Sequence, residues 1–484
     1  MRSYVCKNFN WNGGKMVSWL EKIFKVKENN STVKREIYAG VISFLAVSYI
    51  LAVNPSILGV TGMDRGGILF ATAVAAFIGT LCMAIFANYP LLLAPGMGLN
   101  AFFAFTVVKQ MGFSWQFALF AVTLEGIIFF TLSVLPIREM IINAIPMPLK
   151  NAMGAGVGLF ITLIAFKNAD IIRSHPDTLV TIQHFFGASM NTAGISAILA
   201  LAGVLITAWL MHRKVAGALL LGILITWGLG MLYQLMGIYH VVPEEGYYSL
   251  FPDFSLAAFK ETFAGFCNVF GAAFDTGSWS CSKTGNSGLL LLKSLDFAVI
   301  CFSFLFADFF DTVGTINGAV VNTPLMKKDG TIPRLKGALL ADSVATFTGG
   351  ILGTSTVTTM AESATGVNAG GRTGLAALTG ALLFLLSLIA APIFMAIPGF
   401  ATAPALIIVG FLMLRAVKNI DMEDVAGAIP AYLLICGMVF TYSISDGLGI
   451  GVISWTLLNC RIKGRVNWLL WLVTLLFVGK YVFL

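Results

Sequence analysis

The chain has 484 residues, of which 58% are apolar and only 11% charged, and its mean hydropathy is +0.88. That composition excludes an ordinary soluble core and predicts an all-α polytopic membrane protein set in a lipid bilayer. The net charge of +7 rests on basic residues clustered in loops and gives no argument for nucleic acid, and four histidines and seven scattered cysteines leave no metal-ligand spacing.

Residues 1–36 are polar and basic, with seven Lys and Arg beyond Arg2, and read as a cytoplasmic N-terminal lead too long for a cleavable signal peptide. Within it, 19–30 (WLEKIFKVKENN) suits an amphipathic helix on the membrane surface. The first span is expected over Ile37–Leu58, bent at Asn54-Pro55, and the second over Gly67–Ala87. In YPLLLAPGMGLNAFFAF (89–105), Pro90 and Pro95 forbid a continuous helix. The third element is therefore a short extended piece that opens into a half-helix near Gly98. Gly96 and Gly98 admit close approach of a backbone or ligand, and Asn100 can both donate and accept, as a ligand group or as a structural cap. A fourth span, Ser114–Leu135, carries Glu125 at its centre, where pairing with a neighbouring helix is the simplest role.

Spans five to seven follow at Pro148–Phe166, Thr192–Met211 and Val215–Leu235, the fifth with a small-residue packing face at 154–160. Residues 236–292 form a long outer loop with an amphipathic piece at Leu256–Phe270, and in it Cys267 and Cys281 either pair or stand as lone thiols. Span eight, Ser294–Val320, places Asp308, Asp311 and Thr315 at i, i+3 and i+7, on one helix face. Two carboxylates at mid-membrane require a cavity or a partner. After a basic loop (322–336), span nine carries Asp342. Span ten, GTSTVTTMAESATGVNAGGRTGL (353–375), is too polar to face lipid. It reads as an extended segment, Thr354–Thr359, followed by a half-helix whose free N–H groups open near Glu362. Spans eleven to fourteen are expected at Thr373–Ile397, Thr402–Ala416, Val425–Tyr442 and Gly447–Leu458, and Val466–Leu484 is a final apolar run that spans or lies at the interface.

The chain repeats itself. GILFATAVAAFIGTL (67–81) aligns without gaps on GALLADSVATFTGGI (337–351) with seven identities, where chance would give about one or two. GLNA (98–101) answers GVNA (366–369), and KNAD (167–170) answers KNID (418–421), so the period is near 268 residues. Seven spans separate the copies, an odd number, so the second copy is inverted. With the N-terminus inside, the loops holding Arg138, Arg213, Lys214, Lys327, Lys328, Arg334, Lys336, Arg372, Arg461, Lys463 and Arg465 all fall on the cytoplasmic side.

Three stretches, LLLAPGMGLNAFFAF (91–105), FADFFDTVGTINGAV (306–320) and 353–375, resemble the AzgA-like purine permeases, a branch related to the nucleobase–ascorbate transporters. The likeness runs in order over residues 35–460. It implies a 7+7 inverted-repeat fold with core and gate domains: spans 1–4 (37–135) and 8–11 (294–397) in the core, spans 5–7 (148–235) and 12–14 (402–460) in the gate. It further implies proton-coupled uptake of adenine, guanine or hypoxanthine across the plasma membrane, with no cofactor beyond the proton gradient. The wider superfamily implies a homodimer. The family often has an aromatic before "ES", where this chain has Met360-Ala361, which puts the stacking that the aromatic would give in doubt.

Inverted symmetry brings elements three and ten together beside span eight, in a pocket of Gly98, Asn100, Asp308, Asp311 and Glu362. Three carboxylates suit a neutral ligand rich in N–H donors, or a cation, and a purine edge meets a carboxylate in a bidentate pair. Crowded together in a buried site, at least one of the three is expected to hold a proton near neutrality and serve coupling. By resemblance, Asn100, Asp308, Asp311 and Glu362 match the family's functional positions. Glu362 and Asp311 are expected to hold the base and Asp308 to carry the proton, with Glu362 also open to a coupling role. A facilitator, channel or receptor on the same scaffold, or a carrier of another neutral nucleobase such as uracil or xanthine, is the alternative. The sequence shows no nucleophile–base pair, which argues against an enzyme.

Overall fold

The computed structural model describes residues 21–134, 146–175, 178–183, 185, 190–242, 244, 246–320, 333–463 and 467–483. Most of the N-terminal lead, and Arg138, Lys327, Lys328 and Arg465 of the charge count, lie outside the described residues. Among the described residues nine helices are long and apolar enough to cross a membrane, and the chain is a multi-pass, all-α membrane protein.

Thr32 caps α1 (Val33–Val47), and the chain breaks at Ser48–Tyr49 before α2 (Ile50–Leu58). Pro55, where a bend is expected, sits inside α2, and the Asn54 amide donates to Thr72 (2.6 Å) and Thr354 (2.9 Å). Asp64 caps α3 (Arg65–Cys82), which ends in a wide turn, Met83–Ala87. A three-residue strand, β1 (Leu93–Pro95), opens into α4 (Met97–Ala101), extended by under-wound turns over Phe102–Gln110. Then come α5 (Trp115–Val134) and α6 (Met147–Asn168). A small hairpin of β2 (Ile172–His175) and β3 (Leu179–Ile182) precedes α7 (Ile195–His212) and α8 (Ala218–Leu235).

In the long loop, α9 (Leu256–Val269) is the expected amphipathic helix, and it packs on α3. The loop after it folds back on the end of the third element, with Ser114 N donating to Ser280 O (2.9 Å) and Trp279 lying 4.5 Å from the Phe120 ring. Cys267 is exposed, Cys281 is buried, and both are free thiols. The second half runs through α10 (Leu295–Val320), α11 (Leu335–Leu352), β4 (Val357–Thr359), a short turn at Ala361–Ser363, α12 (Ala364–Ala369) and α13 (Gly374–Leu386). Span eleven is interrupted at 387–390 and resumes as α14 (Ala391–Ala396), followed by α15 (Gly399–Leu414), α16 (Val425–Phe440) and α17 (Ile444–Lys463). The final apolar run is α18 (Trp468–Phe483), packed on α17 and α10.

Helices α1, α2, α3, α5, α10, α11 and α13 pack mainly with one another, and α6, α7, α8, α15, α16 and α17 form a second group. The repeat is visible in the packing of the first group. Gly79 of α3 and its counterpart Gly349 of α11 each lie under the strand of their own half. A Cβ on Gly79 would stand 3.3 Å from Leu93 Cβ, and one on Gly349 2.8 Å from Val357 Cγ2. These glycines let each strand cross at helix-backbone range, where a larger residue would push it off.

Candidate functional site

The site is built where the two extended segments cross. Strands β1 and β4 pair antiparallel, with Leu93 opposite Thr359 and Pro95 opposite Val357. Gly96 N donates to Thr356 O (3.1 Å) and Met360 N to Leu92 O (2.9 Å), which extends the ladder at both ends. Pro90 and Pro95 prevent helix before Gly96, and Thr354–Thr359, β-branched at every position but Ser355, favours the extended chain. An antiparallel crossing sends the two half-helices away in opposite directions, so that both N-termini lie at the crossing. Buried backbone there is satisfied strand to strand, the condition for irregular chain at membrane depth.

Carboxyl groups gather around the crossing in two tiers. Glu362 and Asp311 form the outer tier, each only partly covered. Tyr49, at the break between α1 and α2, donates its hydroxyl to Glu362 Oε1 at 2.8 Å. Asp311 lies beside the head of the first half-helix, where a Cβ on Gly96 would stand 3.8 Å from its Oδ2, and it is near enough to Glu362 for the two charges to interact.

The inner tier is sealed. Glu125 on α5, Asp308 on α10 and Asp342 on α11 are each fully buried. Threonines fill the space between them. Thr346 donates to Asp308 Oδ2 (3.1 Å), Thr356 to Glu125 Oε2 (3.3 Å), and Thr312 to Asp342 Oδ2 (2.6 Å), with Thr358 2.7 Å from Thr312. Thr359 also reaches Asp342 at 3.4 Å. The shared face expected for Asp308 and Asp311 is therefore split. Asp308, with Thr312 one turn on, turns inward to α5, α11 and β4, and Asp311 turns to the crossing. Residues three apart on a helix differ by about 60° in direction, enough to straddle such a boundary.

Asn100 and Gly98 are placed differently from the three carboxylates. Asn100 is fully buried behind the strands, accepts from Ser355 Oγ through Oδ1 and leaves its Nδ2 without a partner. It ties the first half-helix to the extended segment of the second. Gly98 lies against α6, where an added Cβ would stand 2.4 Å from Val157 Cγ1, so it admits the second helix group to the crossing. Met360 is buried at the end of the strand pair.

Sequence reasoning missed Tyr49 and the threonine lattice. Tyr49 sits in an apolar span with no motif around it. Thr346 and Thr312 carry the only visible hint, a hydroxyl at helical spacing from a mid-span carboxylate.

Comparison with known proteins agrees with this architecture. Residues 34–450 match the profile of a permease family. The chain is 36% identical to the adenine permease AdeP of Escherichia coli over 468 residues, 96% of each chain. It is 38% identical to the guanine/hypoxanthine permease PbuO of Bacillus subtilis over 443 residues, 90% of this chain and 94% of that one. Among solved structures, the transmembrane domain of the cyanobacterial bicarbonate transporter BicA superposes with a TM-score of 0.58 at 14% identity, covering 86% of this chain and 97% of that one. That likeness is one of fold, an inverted-repeat transporter fold.

Proposed function

The chain belongs to the permease family, and we propose that it imports a purine nucleobase, adenine, guanine or hypoxanthine, across the plasma membrane in symport with a proton. The observation that carries the reading is the outer pair, Glu362 held by Tyr49 and Asp311 beside Gly96, at the mouths of two converging half-helices. A carboxylate accepts two N–H donors from one edge of a flat, neutral base. Positive helix ends stabilise the ionised carboxyl that does so. The names of the relatives, an adenine permease and a guanine/hypoxanthine permease, point to the same ligand class.

Roles then divide by depth. Glu362 and Asp311 hold the base, while Asp308, one turn inward and sealed from the crossing, carries the proton. Asn100 and Gly98 complete the site from the first repeat, Asn100 by fixing the crossing and Gly98 by receiving α6. Met360-Ala361 stand before Glu362 where the resembling family often has an aromatic, so this reading draws no stacking on the base from that position.

The first helix group, 37–135 and 294–397, is the core domain and carries the site. The second, 148–235 and 402–460, is the gate. They meet where Tyr442 of the gate lies against Phe105 of the core (5.9 Å between ring centroids), and where Gln110 donates to Thr441 O (3.3 Å). Sliding of core past gate alternates access to the two sides. The N-terminus is cytoplasmic and the assembly a homodimer.

Uptake of labelled purines by cells expressing the chain, with and without a protonophore, tests the reading. Uptake should rise as external pH falls and collapse when the gradient is dissipated. Unchanged uptake without a gradient would make the protein a facilitator.

A further inference from the structure

Of the fully buried carboxyls that the division of roles above leaves without a use, Asp342 and Glu36 have donors to both oxygens and Glu125 does not. It is sealed by close helix contact. A Cβ on Gly126 would stand 2.5 Å from Phe347 N, and one on Gly350 of α11 would stand 2.3 Å from Thr123 Oγ1, so α5 and α11 touch backbone to backbone on either side of it. Its Oε2 accepts from Thr356, but its Oε1 has no donor. Asp308 has the same defect: Oδ2 accepts from Thr346, and Oδ1 has no donor. The two carboxyls stand on α5 and α10, which pack together, and they are held from one spot: Thr346 donates to both Asp308 and Val357 O, and the neighbouring Thr356 donates to Glu125.

Two acceptors cannot satisfy one another, and two facing charges at this depth would cost far more than one. The groups acting on Glu125 and Asp308 offer no counter-charge: they are Asp342, Asp311 and the thiol of Cys301. None of the ion pairs among the described residues involves the inner tier. A proton bound covalently to one oxygen and hydrogen-bonded to the other satisfies both, and leaves the pair with a single negative charge.

We propose that Glu125 is the second half of the proton site, so that the coupled proton is held between Glu125 Oε1 and Asp308 Oδ1 rather than on Asp308 alone. The proposal rests on the symport reading given above. It also supplies a route from proton to purine. Asp311 stands one turn along α10 from Asp308 and feels its charge. Loading the pair with that shared proton removes negative charge beside the purine site, so proton and base favour each other's presence.

The test uses purified full-length protein, both in proteoliposomes and for infrared spectroscopy of protonated carboxyl groups. Glu125→Gln should lose accumulation of labelled adenine, guanine and hypoxanthine driven by an imposed pH gradient, while gradient-free exchange of the same base persists. Glu125→Asp keeps a titratable group and should retain partial accumulation, which also decides the matter if the glutamine variant does not fold. One shared proton predicts that Glu125→Gln and Asp308→Asn each remove the same carbonyl band. Separate bands lost one by one, or wild-type accumulation by Glu125→Gln, would overturn the proposal. Accumulation driven by a sodium gradient and lost in Glu125→Gln would also overturn it, by putting a metal cation in the proton's place. If the wild-type protein neither binds nor exchanges any purine, the transport reading fails. The infrared comparison still decides whether the pair shares a proton.

Discussion

Tyr49 donates its hydroxyl to Glu362 Oε1 across 2.8 Å, so a side chain of the first repeat aims the carboxylate that heads the half-helix of the second. Tyr49 is itself fully buried, and its position follows from the break in the first span at Ser48–Tyr49. One lone pair of Glu362 Oε1 is thereby taken, and the remaining acceptor positions of the carboxylate stay open.

Tyr49→Phe removes that donor and leaves the ring. A hydrogen bond to a charged group is worth about 1.5–3 kcal/mol, so purine affinity should fall roughly ten- to a hundredfold through loss of carboxylate orientation. Titration of the purified variant with the base that the wild type binds measures it. An unchanged affinity would mean that Glu362 is held in place by other contacts.

Glu362→Gln should abolish accumulation, and Glu362→Asp should leave weak activity. Glutamine keeps the volume but sets an amide donor against the donors of the purine edge. Each buried group left unsatisfied costs about 1–3 kcal/mol. Aspartate keeps the charge but withdraws it by one methylene, which stretches a bond instead of inverting it. Asp308→Asn should separate from both, keeping binding and losing gradient-driven accumulation. Direct binding to the three purified variants decides: if Glu362→Gln and Asp308→Asn both bind like wild type, the two tiers do not divide the roles as argued.

Much of this arrangement was legible in the sequence, and the parts that were not have a common cause. The 7+7 repeat, the prolines before Gly96 and the threonine-rich run before Glu362 are local signals, so the crossing of β1 and β4 follows from them. Asp311 and Glu362 stand out because a carboxylate in an apolar span is conspicuous. The split of Asp308 from Asp311 was not legible, because three residues of helical spacing leave it to the neighbouring helices to decide which side is sealed. Glu125 was visible as a residue and its partner was not, since α5 and α10 are brought together only by tertiary packing. Tyr49 carries no signal at all: a tyrosine in a membrane helix reads as an ordinary apolar residue.

A reporter fused after Lys328 should report the cytoplasm, and one within 275–288 the outside. The positive-inside asymmetry of the basic loops and the odd number of spans between the two repeat copies both set these sides. Reversal of both signals would invert the protein and put the lead at residues 1–36 outside. Two signals on the same side would break the count of spans between them.

Glu36 is fully buried and accepts from Arg372 N (3.0 and 3.2 Å) and Thr373 N (3.1 Å), where the chain leaves α12 and enters α13. Arg372 in turn donates through its guanidinium to Val367 O (2.7 Å) and Gly371 O (2.6 Å), closing the end of the half-helix. Glu36→Ala leaves two backbone N–H groups in want of an acceptor, at about 1–3 kcal/mol each. The melting temperature of the detergent-solubilised variant should fall, and Glu36→Gln should lie between it and wild type. A melting temperature equal to wild type for the alanine variant would mean that water satisfies this junction.

The C-terminal helix α18 lies outside the duplication, and one ion pair fastens it. Lys480 Nζ stands 2.6 Å from Asp446 Oδ1 at the start of α17 and 3.3 Å from Ser445 Oγ, and Tyr481 Oη donates to Asp446 O at 3.2 Å. The two charged side chains are 11% and 21% exposed, so neither has bulk water to fall back on. Truncating one partner of such a pair leaves the other desolvated and unpaired, which costs more than the pair itself contributes. Lys480→Met should therefore lower thermal stability distinctly, and Asp446→Asn should do so as well. Combining the two removes both charges, and much of the loss should return, with a coupling of about 0.5–3 kcal/mol in a double-mutant cycle. Thermal unfolding of the wild type, both single variants and the double variant measures that coupling. Strictly additive losses would show that Lys480 and Asp446 act independently, and that α18 is held to α17 and α10 by its apolar face alone, through contacts such as Phe477 and Tyr481 against Gly449.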